Sequence, residues 1–167
     1  MSLKQVKQLN NMIYIGSDHA GYDLKEKLKK YIEEELNLAI DDKGAFTLNG
    51  TDDYPDFIKP VAEAVSKDTN NLGIIIGASG EGEAICANKT HGIRAIVYYG
   101  GNKKQKDASG KRINIIESGR LHNNANILSL GARFITERKA KKAVRSFIET
   151  PFSNDERHIR RINKLED

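Results

Sequence analysis

The stretch that decides the fold runs from Ile74 to Lys89 and reads IIIGASGEGEAICANK. Its apolar start, with Leu72 and Gly73 before it, predicts a buried strand ending at Gly77. Gly77, Gly80 and Gly82 then predict a tight turn, and the residues from Glu81 onward predict a helix. A glycine-rich turn between strand and helix aims several backbone N–H groups at one point, and the helix dipole adds positive potential there. This is not a nucleotide-phosphate loop, because no Gly-Lys-Ser/Thr follows. Nor is it a dinucleotide fingerprint: after Gly80 and Gly82 the third small residue would fall at position 85, which is Ile85. Glu81 and Glu83 also stand where a polyphosphate would want positive charge. A carboxylate beside converging N–H groups suits a general base that removes a proton while the amides hold the resulting oxyanion. Taken alone, the same residues fit equally well a plain turn with an ordinary first-turn glutamate.

Working outward, apolar runs alternate with helical periodicity. MIYIGS, from Met12 to Ser17, predicts a first buried strand. Leu24, Leu28, Tyr31, Ile32 and Leu36 then share one face of a helix, with Lys and Glu elsewhere. NLAIDD predicts a weak second strand. Pro55 opens a second helix, where its missing N–H costs nothing, and Phe57, Ile58, Val61, Ala62 and Val65 form its inner face. GIRAIVYY and NILSLGARFI hold a fourth and a fifth strand. A helix with Ala140, Val144, Phe147 and Ile148 turned inward follows, and after a break at Pro151 a polar helix closes the chain. The expected class is α/β: a single-domain doubly wound (Rossmann-like) parallel sheet of about five strands, flanked by helices and followed by a C-terminal helix. Ligands of such sheets bind at the carboxyl ends of the strands. Ser17-Asp18-His19, Gly77 to Glu83 and Gly131-Ala132-Arg133 fall there.

At 167 residues the chain suits one domain, and 38% hydrophobic against 30% charged residues predicts a globular chain rather than a disordered one. No apolar run approaches the ~18 residues of a membrane span. Residues 1–11 are basic and polar with no apolar segment behind them, so they predict an N-terminal extension rather than a secretory leader, and residues 12–167 the domain. A single cysteine, Cys86, allows no internal disulfide, and a cytoplasmic protein is the simplest expectation. Cys86 itself reads as a small buried residue behind the turn. His19, His91, His122 and His158 lack metal-ligand spacing, so no zinc or other metal site is expected. The net charge of +4 is compatible with an anionic partner, but the lysine-rich stretch NKKQKDASGKR has no interleaved aromatics, which argues against nucleic acid.

Several residues carry two readings each. Asp18 is either a helix cap or, with His19, an acid/base pair at the sheet edge. His122 is a possible proton carrier in a turn with Asn123 and Asn124, or an exposed loop histidine. Arg157 and Arg161, four apart, share a face of the last helix, with Arg160 and His158 pointing elsewhere. Joined by Arg133, they can grip a phosphate monoester, or they form a solvated face paired with Asp155 and Glu156.

As a set, GSDHAG, DYPDF, GASGEGEAICANK, GIRA, HNNANILSLGAR and TPF…ERHIRRI occur in one order from Met12 to about Ile162. The chain resembles the B-type ribose-5-phosphate isomerases and the related galactose-6-phosphate isomerase subunits. That family divides by its catalytic base. One branch uses a cysteine at the end of the third strand, the position of Gly77. The other uses a glutamate further round the turn, the position of Glu83. The resemblance therefore implies the glutamate branch, with Glu83 as base and Ser79 assisting the enediolate oxygens. It implies an anion hole from the backbone of Ala78, Ser79, Gly80, Glu81 and Gly82, and substrate contacts from Asp18, His19 and Asn123. His122 becomes the ring-opening acid, and Arg133, Arg157 and Arg161 the phosphate ligands. It further implies conversion of ribose 5-phosphate to ribulose 5-phosphate without a cofactor, in a homodimer or homotetramer whose active sites combine two chains. Galactose 6-phosphate, allose 6-phosphate, a tetrose phosphate and a non-catalytic phosphosugar-binding role remain as alternatives. One departure is an insertion around 100–116, before His122, expected to be a solvated surface feature.

Overall fold

Three apolar runs form the centre of a parallel sheet. The computed structural model describes residues 12–68, 70–101 and 103–165, so the expected N-terminal extension lies outside the described residues. Strand β3 (Leu72–Gly77) is buried at every residue. It pairs on one side with β1 (Ile13–Ser17) and on the other with β7 (Ile127–Gly131). Strands β2 (Ile40–Asp42) and β4 (Ala95–Tyr98) form the edges, giving the order β2-β1-β3-β7-β4 with every pair parallel. A continuous isoleucine run is the expected composition of a strand covered on both faces.

The side-chain alternation of β3 feeds two cores. Ile74 and Ile76 pack with Leu128, Leu130, Leu28, Val144 and Phe147 on one face. Ile75 packs with Ile127, Ile58, Val61 and Val65 on the other. The first face is covered by α1 (Tyr22–Lys30), α4 (Ile115–Asn123) and α5 (Glu137–Glu149), the second by α2 (Pro55–Ser66) and α3 (Glu81–Ala87). Pro55 opens α2, as its sequence position predicts. Half-buried Cys86 packs against the second core. The closing helix α6 (Glu156–Asn163) follows the break at Pro151. No helix among the described residues is long and apolar enough to cross a membrane.

Three local features differ from the sequence-based expectation. Asp18 does not cap α1, whose N-cap is Gly21. Its Oδ1 instead accepts the Ala20 and Gly21 N–H groups (3.0 and 3.1 Å), holding the turn that precedes the helix. The helix also widens into a π turn over Tyr31–Glu35, where Leu36 N–H reaches Tyr31 O (3.1 Å). The third feature is Lys25, which is 0% exposed although lysines were expected on the solvent side of α1. It lies on the same stripe as Leu28 and Ile32, and its Nζ is held by Asp42 Oδ2 (2.6 Å) and Glu26 Oε1 (2.8 Å).

The segment after β4 is a two-stranded antiparallel hairpin, β5 (Gln105–Lys106) and β6 (Arg112–Ile113). Asp107 closes its turn by accepting from Ser109 N, Ser109 Oγ and Lys111 N. The hairpin is largely exposed and leads into α4, whose start is fixed by a capping box between Asn114 and Glu117.

Burial pulls the pKa of Asp42 upward, but the bonds from Lys25, Lys29 and Gly44 N–H outweigh it and the net shift is downward. Removing this carboxylate leaves the buried Lys25 ammonium with only the part-exposed Glu26 as counter-charge. Asp42→Ala is therefore expected to cost about 3–5 kcal/mol in urea unfolding at pH 7. Because a depressed carboxyl contributes stability only above its unfolded pKa, the difference from the parent should shrink as pH falls below about 4.

Candidate active site

The turn after β3 separates its two glutamates. Glu81 is exposed, whereas Glu83 is 5% exposed and folds back toward the end of the strand. Gly77 makes the room: a Cβ at that position would overlap the Glu83 carboxylate. Gly80, the N-cap of α3, has φ +83°, in the left-handed region that glycine adopts without strain. Ser129 Oγ in β7 ties this turn down by donating to Gly80 O (2.6 Å). Ser79 Oγ accepts from Glu81 N (3.3 Å), which places the hydroxyl at the first turn of α3. That turn carries N–H groups with no intrahelical acceptor. The Tyr54 ring lies over Gly82, where an added Cβ would come within 3.2 Å of it.

Burial pushes the Glu83 carboxyl above its ordinary range. The backbone N–H groups of Glu83 and Gly80 pull it partly back, and the nearby Asp18 carboxylate adds to the rise. A carboxylate with raised basicity beside helix-start amides can take a proton from carbon while the amides receive the charge.

The same sheet edge carries Asp18, His19 and Arg133. His19 Nδ1 lies 2.5 Å from Asp52 Oδ1, and its backbone N–H donates to the same oxygen at 3.1 Å. Hydrogen bonding to Asp52 raises the His19 pKa; desolvation opposes it, Asp18 adds to it and Arg133 works against it. Arg133 is exposed, its backbone N–H bonded to Ala78 O (3.1 Å). One donor atom from each of Asp18, His19 and Asp52 lies within 4.8 Å of the others. Within this cluster Asp18 Oδ1 is taken by two backbone N–H groups and His19 Nδ1 by Asp52 Oδ1.

The remaining expected site residues lie elsewhere. His122 and Asn123 end α4, just before β7 begins at the amino edge of the sheet. The rings of His122 and His158 are 4.6 Å apart, centroid to centroid. His158 is 4% exposed and its Nδ1 lies 3.0 Å from Ser153 Oγ. Desolvation, then the positive charge of Arg157, lowers the His158 pKa, with His122 and Arg161 acting in the same direction. Arg157 and Arg161 are exposed on α6, and Arg157 pairs with Asp155 at 3.4 Å. Asn123 borders a cleft of about 550 Å³ that also involves Asn88, His91, Arg94 and Leu165. The five residues of β7 separate the two edges by roughly 15 Å. One chain therefore brings Asp18, His19, Ala78–Glu83 and Arg133 together, and gathers His122, Asn123, Arg157 and Arg161 around the opposite edge.

The family model described as Ribose/Galactose Isomerase matches residues 13–165. The chain belongs to the ribose/galactose isomerase family. It is 37% identical over 153 residues to a ribose-5-phosphate isomerase B of Mycolicibacterium paratuberculosis, covering 92% of this chain and 88% of that one. It is 34% identical over 158 residues to a probable ribose-5-phosphate isomerase B of Mycoplasma pneumoniae, covering 95% of each. Among solved structures, the ribose-5-phosphate isomerase B of Mycoplasma genitalium with bound ribulose-5-phosphate matches with a TM-score of 0.80 and 33% identity over 93% of each chain. The isomerase B of Thermotoga maritima matches with a TM-score of 0.78 and 35% identity, covering 93% of this chain and 97% of that one.

Within the ribose/galactose isomerases, the relation between Gly77 and Glu83 gains a meaning. Any side chain at position 77 and the Glu83 carboxylate would project into the same volume, so the glycine and the buried glutamate go together. Sequence reasoning missed Asp52 and His158. Asp52 reads as one of several turn aspartates, and its contact with His19 spans 33 positions. His158 reads as facing away from Arg157 and Arg161, because only the arginines fall four apart on that helix.

The raised Glu83 carboxyl sets a stability test. A carboxyl whose pKa is higher in the folded than in the unfolded chain destabilises the fold once pH exceeds the folded value. Glu83→Gln keeps an acceptor for the backbone N–H groups without the charge. The variant is expected to melt at a higher temperature than the parent at pH 7, with the gap closing near pH 4. A lower Tm at pH 7 would contradict the picture of a charge held against desolvation.

Proposed function

We propose that this chain interconverts ribose 5-phosphate and ribulose 5-phosphate through a cis-enediolate, with Glu83 as the base. The observation that carries the reading is the Glu83 carboxylate buried in the space left by Gly77, at the amide-rich start of α3. In the forward direction Glu83 takes the C2 proton of the open-chain aldose. The C1 carbonyl oxygen becomes the enediolate oxygen, stabilised by backbone N–H groups from Ala78 to Gly82. The Ser79 hydroxyl assists as a proton moves from O2 to O1, and Glu83 returns its proton to C1 to give the ketose. Stabilising a charge that exists only along this path is what accelerates the step. His122 serves as the acid that opens the sugar ring. Arg133, Arg157 and Arg161 grip the phosphate and fix the reacting end by remote binding energy. Neither a metal nor a cofactor has a step in this scheme.

The division of residues between two sheet edges supports a homodimer or homotetramer with shared sites, in which His122, Asn123, Arg157 and Arg161 of one copy face Glu83 of another. Exposed Ile85 and Phe134, beside the Glu83 turn and Arg133, supply apolar surface for such a contact. The relatives named for ribose 5-phosphate favour the pentose over galactose 6-phosphate, allose 6-phosphate or a tetrose phosphate. A buried base is superfluous in a phosphosugar-binding protein without catalysis. A single cysteine, which allows no internal disulfide, is consistent with the cytoplasm.

An isomerase assay on ribose 5-phosphate and on six- and four-carbon aldose phosphates tests the substrate. Glu83→Gln is expected to lose turnover by at least about a thousandfold, and Arg157→Ala mainly to raise KM. The acid limb of kcat/KM should lie above the ~4.3 of a free glutamate, because the base must be ionised and its pKa is raised. Mixing the two variants, with subunit exchange allowed, tests the shared site. Half of random dimers are hybrids with one intact site of two, so at substrate well below the parental KM, where the Arg157→Ala homodimer is nearly silent, about a quarter of parental activity should return. No recovery despite demonstrated exchange would place the full site within one chain.

A further inference from the structure

Asp52 lies on the loop between β2 and α2, a loop whose residues 46–51 are all exposed. Its own side chain is only 7% exposed. One carboxylate oxygen, Oδ1, takes both the backbone N–H of His19 and its ring Nδ1. The other, Oδ2, is buried and has no partner among the described residues. A buried carboxylate oxygen without a donor is costly, so the bonds from His19 must repay most of the desolvation of this group. Nδ1 of His19 is thereby committed as a donor. The neutral ring then presents Nε2 as an acceptor, and the cation presents Nε2–H as a donor. The ring remains 32% exposed and stands at the carboxyl edge of the sheet, with Asp18 and Arg133 as its other charged neighbours.

We propose that Asp52 is a positioning residue: it fixes the tautomer and direction of His19 so that Nε2 meets an oxygen of the sugar phosphate bound over the Glu83 turn. This deepens the isomerase reading and rests on it. Asp52 touches no reacting atom; it acts through His19. The exposed residues 46–51 are thereby latched to the site through the Asp52 side chain that follows them. Lengthening or repacking that loop would alter substrate affinity without touching the base.

The test uses the full-length protein and has two readouts. Imidazole ¹⁵N NMR without substrate should show Nδ1 of His19 protonated at neutral pH, with a titration midpoint above the ~6.5 of a free histidine. In Asp52→Asn that midpoint should fall. For ribose 5-phosphate, Asp52→Asn should raise KM about tenfold or more with a much smaller change in kcat, as expected for a charge-assisted bond that orients a binding group. Loss of the cationic donor with rising pH should weaken binding at lower pH in the variant than in the parent. The phosphate of the substrate titrates alike in both, so the displacement belongs to His19. Asp52→Glu should restore part of the affinity. An unchanged His19 titration in Asp52→Asn would overturn the proposal, as would equal losses of KM, kcat and Tm in both variants, which mark a purely structural loop anchor. If the parent does not turn over ribose 5-phosphate, the isomerase reading fails, while the His19 titration still decides whether Asp52 sets the ring.

Discussion

The site depends on a missing side chain. Gly77 closes β3 without a Cβ, and the carboxylate of Glu83 fills the volume that a side chain would take. The sheet on either side is already fully packed, with Ile76 and Leu130 buried next to the turn. The carboxylate therefore enters a place with little water and with the first amides of α3 beside it. Burial raises its basicity, and the same burial stops the raised base from being quenched by solvent. Any side chain at position 77 would drive Glu83 outward, and with it the distinction between this residue and the exposed Glu81. The glycine thus decides which of two glutamates is chemically different, although both lie in the first turn of one short helix.

The opposite edge rests on a different device, a buried guanidinium. Arg120 of α4 donates to the carbonyl oxygens of Ala125 and Thr150 and lies over the Phe147 ring. Burial, with Arg94 nearby, lowers its pKa to about 10, so it remains charged at neutral pH. Through these bonds the end of α4 is joined to the end of α5, and Ser153 N–H adds a bond to Leu121 O (3.1 Å). The chain leaving α5 is thus led back across α4, which is why α6 lays His158 against His122. The arginines of α6 then face solvent from a fixed base rather than from a free tail. Positions 120 and 122 share one helix, so the anchor of the C-terminal segment and the proposed ring-opening acid move as one body.

The sheet was legible because its centre obeys one simple rule. Strands covered on both faces must be continuous apolar runs, and MIYIGS, LGIIIG and NILSLG are such runs ending in glycine or serine. The turn after β3 was legible from its glycines, and Glu83 from its place in that turn. Contacts made by polar residues across long separations were not. Lys25 looks like a surface lysine until Asp42, seventeen positions away, supplies its partner. Asp52 looks like a turn residue until His19 is brought beside it. On α6, apolar spacing would bury Ile159, yet Ile159 is exposed and His158 is inside, because Ser153 and His122 give the imidazole the partners that burial demands. The hairpin of β5 and β6 left no periodic signal, since it is two residues wide on each side and mostly exposed.

The separation of the two edges has an electrostatic logic. An enediolate carries negative charge, and a phosphate dianion held against the same amides would compete for them and raise the cost of forming it. Guanidinium groups crowded round Glu83 would cause the reverse problem, pulling its pKa down and weakening the base, and of the three arginines only the exposed Arg133 shares its edge within the chain. Keeping Arg157 and Arg161 roughly a strand length from Glu83 within each chain avoids both penalties during folding. In the assembly proposed above, the substrate itself is the object that spans the gap: its phosphate neutralises the arginines while its uncharged carbonyl end reaches the base. Under that proposal the bound phosphate offsets the arginine charge that faces the base, so binding and subunit contact draw on the same surface. Under the same proposal, a chain folded alone would hold Glu83 and Arg133 at one edge and would lack, for that site, the His122, Arg157 and Arg161 that a second copy supplies.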